Sequence, residues 1–216
     1  ARIWDVRTRR ALCQPIREPE EFTHADFSPD GRRVVTAARD GAAQIWELRE
    51  PLEHGTTVRH EAAIISVAFS PDGQSILTSS TNLTSRLWDA GTGQPLGAPI
   101  RHQALVHMAT FSPDGTKIVA AMHSRTNWIW NARSGNVVAG PFYHTEGLWW
   151  AQFSPNGKRV VTTAADGTAR VWDARTAEPI TPPLTHRANV KNARFSADGR
   201  YVVTASDDRT ARVWDA

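Results

Sequence analysis

Apolar and polar residues alternate along this chain in short segments that turn-forming residues separate. A typical unit has an apolar stretch ending in Phe, such as IISVAF at 64–69, then Ser-Pro-Asp-Gly, then a β-branched run such as VVTAA at 34–38. Proline presets φ, aspartate bonds the backbone and glycine accepts a positive φ, so this tetrapeptide closes a hairpin. An Asp-containing turn and a third segment, such as ARVWD at 169–173, follow. The pattern predicts short antiparallel strands.

The same pattern repeats from one end of the chain to the other with a constant step of 42 residues. Two aromatic ladders carry this step, formed by Trp4, Trp46, Trp88, Trp130, Trp172 and Trp214 and by Phe27, Phe69, Phe111, Phe153 and Phe195. A period of about 40 to 45 residues holds four short strands, and such a unit must stack on its neighbours to bury both faces. The sequence therefore predicts one all-β repeat array.

A predicted fourth strand in each unit contains proline in a fixed register. These prolines are Pro15, Pro99, Pro141 and Pro183. Proline cannot donate to a strand ladder and also discourages edge-to-edge aggregation. We therefore expect the fourth strand to form the outer edge of each sheet.

The third strands carry a signature that resembles the WD40 repeat family over the whole chain. The motifs are Ile-Trp-Asp at 3–5, Leu-Trp-Asp at 87–89, Val-Trp-Asp at 171–173 and 213–215, with the variants Ile-Trp-Glu at 45–47 and Ile-Trp-Asn at 129–131. The resemblance implies a β-propeller, in which four-stranded blades surround a central channel. The near-regular step resembles prokaryotic members, which implies a cytoplasmic, non-catalytic scaffold that senses or docks protein or peptide partners within a larger signalling protein.

The repeat divides a single domain, 1–216, into complete and partial units. Strands three and four of a partial blade are predicted at 1–17, complete repeats at 18–59, 60–101, 102–143 and 144–185, and a repeat without its fourth strand at 186–216. About five repeats are too few for a typical ring, and ARIWD at 1–5 duplicates ARVWD at 211–215. We expect a piece of a larger propeller, or a ring completed by self-association, because open blade faces are too apolar to stay exposed.

The composition limits the classes of partner that the sequence predicts. Lys and Arg number 25 against 22 Asp and Glu, a formal net charge of +3 that is scattered along the chain. No nucleic acid partner is predicted from so dispersed a charge. No apolar run approaches the length of a membrane span, and a single cysteine, Cys13, excludes an internal disulfide framework.

Four histidines recur with the same 42-residue step, namely His60, His102, His144 and His186. In the resembled family, this histidine bonds an aspartate in the turn between strands two and three, and a Ser or Thr and the tryptophan complete a buried network. The matching sets are His144, Thr162, Asp166 and Trp172, and His186, Thr204, Asp208 and Trp214. We expect both sets to be structural, because a filled network fixes how the inner strand packs.

The other repeats depart from this set and are predicted to be looser. Asn82 takes the aspartate position in the repeat of His60. In the repeat of His102, Ala120 takes the threonine position and Ser124 takes the aspartate position. Glu18 replaces the histidine opposite Asp40. An acid–base role for these two carboxylates is the alternative, but we expect them to repel each other and turn outward to solvent.

The remaining histidines raise a second alternative, a metal-binding or enzymatic propeller. His102, His107 and His123 are predicted at the same end of one blade, and three imidazoles are able to bind zinc. Their spacing matches no compact metal motif, and no phosphate loop or nucleophile elbow occurs. We therefore predict no catalytic residue, metal ligand or cofactor.

Positions that vary between repeats are candidates for function, because the constant positions build the blades. In the resembled family two such positions face the upper rim of the propeller; here they hold Thr23, Ile65, His107, Trp149 and Lys191, and Arg39, Thr81, His123, Ala165 and Asp207. Trp and Arg dominate binding hot spots. The predicted partner-binding residues are Trp149, His107, His123, Lys191 and Arg39. The alternative is that Trp149 and Trp150 fill gaps beside a degenerate blade.

Overall fold

The computed structural model describes residues 1–49 and 53–216, and its regular elements are β-strands. Residues 50–52, inside the first predicted complete repeat, lie outside the described residues. The strands are β1 Phe22–Phe27, β2 Arg33–Ala38, β3 Ala42–Glu47, β4 Glu53–Arg59, β5 Ile64–Phe69, β6 Ser75–Ser80, β7 Thr84–Asp89, β8 Ile100–Arg101, β9 Val106–Phe111, β10 Lys117–Met122, β11 Thr126–Asn131, β12 Val137–Tyr143, β13 Leu148–Phe153, β14 Arg159–Ala164, β15 Thr168–Asp173, β16 Leu184–Thr185, β17 Val190–Phe195, β18 Tyr201–Ser206 and β19 Ala211–Asp215.

Strands that are consecutive in sequence pair antiparallel to form separate small sheets. Within the described residues, four sheets have four strands each, from β1–β4 to β13–β16, and β17–β19 form a three-stranded sheet. The predicted all-β class is confirmed, and the fourth strand lies at a sheet edge each time. Strands β8 and β16, which follow Pro99 and Pro183, have only two residues each.

Neighbouring sheets bury their faces against each other. Val35 and Ile45 of the first sheet pack in one core cluster with Ile76 and Trp88 of the second, and the same arrangement recurs between the later sheets. Alternation along each strand sends adjacent side chains to opposite faces, so every inner sheet contributes to two cores. Full burial of one such Val or Ile side chain contributes about 1.5–3 kcal/mol.

The N-terminal segment packs against the first sheet and folds back on itself through an isolated β-bridge between Trp4 and Ala11. Leu12 N donates to Ile3 O at 2.9 Å, and the Ala1 ammonium donates to Ile16 O at 2.7 Å. Ile3 and Ile16 are buried against Val34 of β2. The segment therefore covers the first sheet and does not supply the missing strand of the β17–β19 sheet.

The last sheet keeps an exposed apolar face. Val203 is 43% exposed and Val213 is 69% exposed, whereas Val161 and Val171, one repeat earlier, are fully buried. At the other end of the array, Trp4 is 53% exposed. Each position is one that a neighbouring sheet covers elsewhere in the molecule.

Candidate interaction surface at the upper rim

A chain of hydrogen bonds links four side chains of the fourth sheet. His144 Nδ1 lies 3.2 Å from Asp166 Oδ2, and His144 Nε2 lies 2.8 Å from Thr162 Oγ1. Trp172 Nε1 donates to the same hydroxyl at 2.7 Å. Burial alone would raise the Asp166 pKa, but hydrogen bonds from His144 and Thr168 hold it well below its usual range. With Nδ1 as donor to the carboxylate and Nε2 as acceptor from the Thr162 hydroxyl, both bonds of the ring are satisfied.

The last sheet repeats this arrangement. His186 lies 3.0 Å from Asp208 and 2.7 Å from Thr204, whose hydroxyl accepts from Trp214 Nε1 at 2.8 Å. A hydrogen bond from Thr210 is the main reason that the Asp208 pKa lies well below its usual range. The hydrogen bonds expected from the sequence are thus present in both sets.

The two preceding sheets hold their histidines without a carboxylate. His60 Nε2 lies 2.6 Å from Thr78 Oγ1, but its buried Nδ1 has no partner, because Asn82 Oδ1 accepts from Thr84 instead. His102, whose own sheet has Ala120 at the hydroxyl position, bonds Ser85 Oγ of the neighbouring sheet at 2.8 Å. Burial lowers the pKa of each of these two histidines to about 4.

The two carboxylates of the first sheet do not both turn outward, so that expectation is wrong for Glu18. Glu18 is partly buried, and its Oε2 accepts from Gln44 Nε2 at 3.3 Å. Burial, followed by the charge of Asp40, raises the Glu18 pKa. Asp40 instead faces Arg59 at 3.5 Å. Glu18 is tolerated there because the amide of Gln44 supplies a donor in place of a histidine partner.

β-bulges occur at the five equivalent residues that the WD40 resemblance assigns to the upper rim. The pairing of the first and second strands of every sheet shifts register at one residue, and these residues are Thr23, Ile65, His107, Trp149 and Lys191. A bulged residue leaves the ladder, so its side chain takes a new direction. The bulged residues share no residue type that would predict a bulge. They share only their position in the repeat.

Three consecutive sheets meet in what we call the rim cluster, which consists of His107, His123, Trp149, Lys191 and Asp207. His107 Nε2 lies 3.2 Å from His123 Nδ1, and the His107 ring lies 4.9 Å from the Trp149 ring at an interplanar angle of 31°. Lys191 Nζ lies 3.7 Å from the Trp149 ring centroid and 3.4 Å from Asp207 Oδ2. Burial, then the charges of His123 and Lys191, lowers the His107 pKa.

Other predicted residues lie elsewhere. Arg39 is on the first sheet, where it forms an ion pair with Glu21 at 2.7 Å. His102 is buried against Ser85 and does not join His107 and His123, and the described residues contain no group of three or more potential metal ligands. The three histidines therefore do not form one group of potential metal ligands, in agreement with the preferred interpretation of His102 as a core residue.

The two adjacent tryptophans have different neighbours. Trp149 is half-buried among the histidines of the rim cluster, whereas Trp150 lies 5.5 Å from the Arg194 guanidinium. Trp149 keeps part of its surface exposed, although its Nε1 is buried and has no hydrogen-bond partner. A partly exposed indole beside titratable and charged groups has the composition of a protein-binding surface.

The repeat sequence matches a known family model, described as WD domain, G-beta repeat, at residues 17–47, 53–89, 140–173 and 179–215. The chain belongs to the WD40 family. WD40 repeats build a protein-interaction scaffold, and this chain has that kind of fold. The matched ranges leave out 90–139, which contain His107 and His123 of the rim cluster.

A solved structure supports the same architecture for this WD40 chain. The crystal structure of the computationally designed Ika8 protein is similar with a TM-score of 0.85 and 26% identity, and the match covers 100% of this chain and 64% of that chain. The WD40 chain thus spans less than two thirds of the length of this relative. No curated protein sequence matches it. Among residues 1–49 and 53–216 there is no helical segment with the length and hydrophobicity of a membrane span.

Proposed function

We propose that this WD40 chain is a non-catalytic docking module, part of a larger prokaryotic signalling protein, and that its rim cluster binds a protein or peptide. The observation that carries this proposal is the position of Trp149. Its ring combines with imidazoles from one neighbouring sheet and an ammonium from the other.

The rim cluster combines the properties that a binding hot spot needs. Trp149 offers a large rigid surface with little conformational entropy to lose, and its neighbours already restrict its orientation. The Lys191 ammonium is kept at the ring by Asp207, so the charged groups are in place before a partner arrives. Arg39, which pairs with Glu21 on the first sheet, is a separate proposed contact outside the rim cluster.

A display experiment tests the docking proposal. Peptides selected against the wild-type chain from a random library should bind Trp149→Ala about 30-fold more weakly, a hot-spot loss of about 2 kcal/mol. The melting temperature should stay nearly unchanged. Tyr143→Ala is the matched control, because Tyr143 is an exposed aromatic on an outer strand. Peptides that bind both variants equally well, or a Trp149→Ala chain that fails to fold, would refute the proposal.

A second copy of the chain is a further proposed partner, through the exposed sheet faces. Val203 and Val213 occupy positions that accept a neighbouring sheet elsewhere, and Trp4 occupies a position that packs into such a face. A face of one copy against the other end of the next copy gives a head-to-tail contact. Light scattering should show an oligomer that Val213→Asp dissociates. A monomeric wild-type chain would contradict self-association without affecting the docking proposal.

A further inference from the structure

The imidazole pair of the rim cluster has the spacing of two ligands on one metal ion. Zinc–nitrogen bonds of about 2.0–2.1 Å at a tetrahedral angle place two ligand nitrogens about 3.3 Å apart. His107 Nε2 and His123 Nδ1 are 3.2 Å apart. The two rings therefore need little movement for a metal cation to replace the hydrogen bond between them.

We infer that His107 and His123 form a bidentate site for a divalent transition metal of the zinc class. Imidazole nitrogen is a preferred ligand for zinc, nickel and copper, whereas magnesium and calcium prefer oxygen. This site goes beyond peptide docking and does not depend on it.

The surroundings hold the two ligands in place. His107 stacks on Trp149, and the Trp149 edge also contacts the His123 ring at a centroid distance of 6.2 Å. The His123 main chain is anchored, because its N–H donates to Leu105 O at 2.8 Å. Restricted ligands lose less conformational entropy when a metal binds.

The rest of the coordination sphere is open to solvent. His123 is exposed, and the described residues supply no third His, Cys, Asp or Glu ligand, so water completes the coordination. The Lys191 ammonium opposes the bound cation, since its charge already acts on His107. The site is consequently weaker than a closed structural zinc site, and Lys191 limits its affinity.

Calorimetry with zinc chloride tests the site on untagged, chelator-treated protein. The wild type should bind one zinc ion. His107→Gln and His123→Gln should each weaken binding about tenfold or more, because each removes half of the protein ligands. Lys191→Gln should tighten binding, because it removes a nearby positive charge.

His54→Gln is the matched control. His54 is an exposed imidazole that packs against the Trp46 ring at 4.9 Å but has no second imidazole beside it. This variant should bind zinc like the wild type, and circular dichroism should show that all variants are folded. Absence of saturable zinc binding to the wild type would overturn the inference. Folded His107→Gln and His123→Gln variants that bind zinc with wild-type affinity would overturn it as well.

Discussion

The fourth and second sheets solve the same packing problem with different side chains. In the fourth, His144 donates to Asp166 and every polar atom of the set has a partner. In the second, His60 keeps its bond to the threonine, but its buried Nδ1 has none. Both sheets nevertheless have the same strand order. The stacked apolar faces therefore determine the fold, and the carboxylate adds stability to a sheet that already forms.

The comparison extends to the sheet that departs most from the repeat. His102 has no carboxylate and no hydroxyl in its own sheet, and it bonds Ser85 of the neighbouring sheet. The same sheet contributes His107 and His123 to the rim cluster. Residues 102–143 thus both lack the regular histidine network and supply the two imidazoles of the rim cluster. The family model does not match most of this range.

Removal of the carboxylate from the filled set should have the largest effect. Asp166→Ala should destabilise the chain by about 2–3 kcal/mol, because it removes the carboxylate that accepts from the buried His144 Nδ1 and from the Thr145 and Thr168 N–H groups. Asn82→Ala, the same change in the second sheet, should cost less than about 1 kcal/mol, since Asn82 is exposed and bonds only Thr84. Urea denaturation measures both. Equal losses would show that the carboxylate has no special role.

The substitute hydrogen bond of His102 should come next. Ser85→Ala should cost about 1–2 kcal/mol, because the imidazole then has no hydrogen bond and its Nδ1 is already unpartnered. Ser79→Ala is the control, since it removes only the Ser79–Ser85 hydroxyl contact of 2.7 Å. Thermal unfolding of the two variants should give the lower midpoint for Ser85→Ala. The reverse order would mean that the serine pair matters and the histidine does not.

Introduction of a carboxylate beside His60 should raise the free energy of unfolding by a smaller amount. Asn82→Asp should stabilise the chain by about 1 kcal/mol, because it offers the buried His60 Nδ1 an acceptor. The gain should disappear when His60 is replaced by Gln in a double-mutant cycle. A gain that persists without His60 would assign it to the turn and not to the network.

Acidification should act through the two sheets whose buried histidines lack a carboxylate partner. Burial lowers the pKa of His60 and of His102 to about 4 in the folded chain, below the usual histidine value of 6.5. The unfolded chain therefore takes up protons first, so stability is complete above pH 6.5 and declines as the pH falls toward 4. Urea midpoints across this range measure the slope. His60→Gln should reduce the slope; an unchanged slope would exclude His60 as a source.

The sequence by itself determined the repeat and the strand order within each sheet, and its resemblance to the WD40 family implied the members of the filled networks. The repeat and the strand order follow from local alternation, turn chemistry and a constant step, which one repeat shows as well as another. The tertiary structure alone decided the rest. The resemblance had assigned His107, His123, Trp149 and Lys191 to one rim, and stacking decided which of them touch. Stacking also bonded His102 to a neighbouring sheet and left Glu18 partly buried. These outcomes depend on contacts between sheets and on β-bulges, and residue spacing does not encode the direction of a bulged side chain.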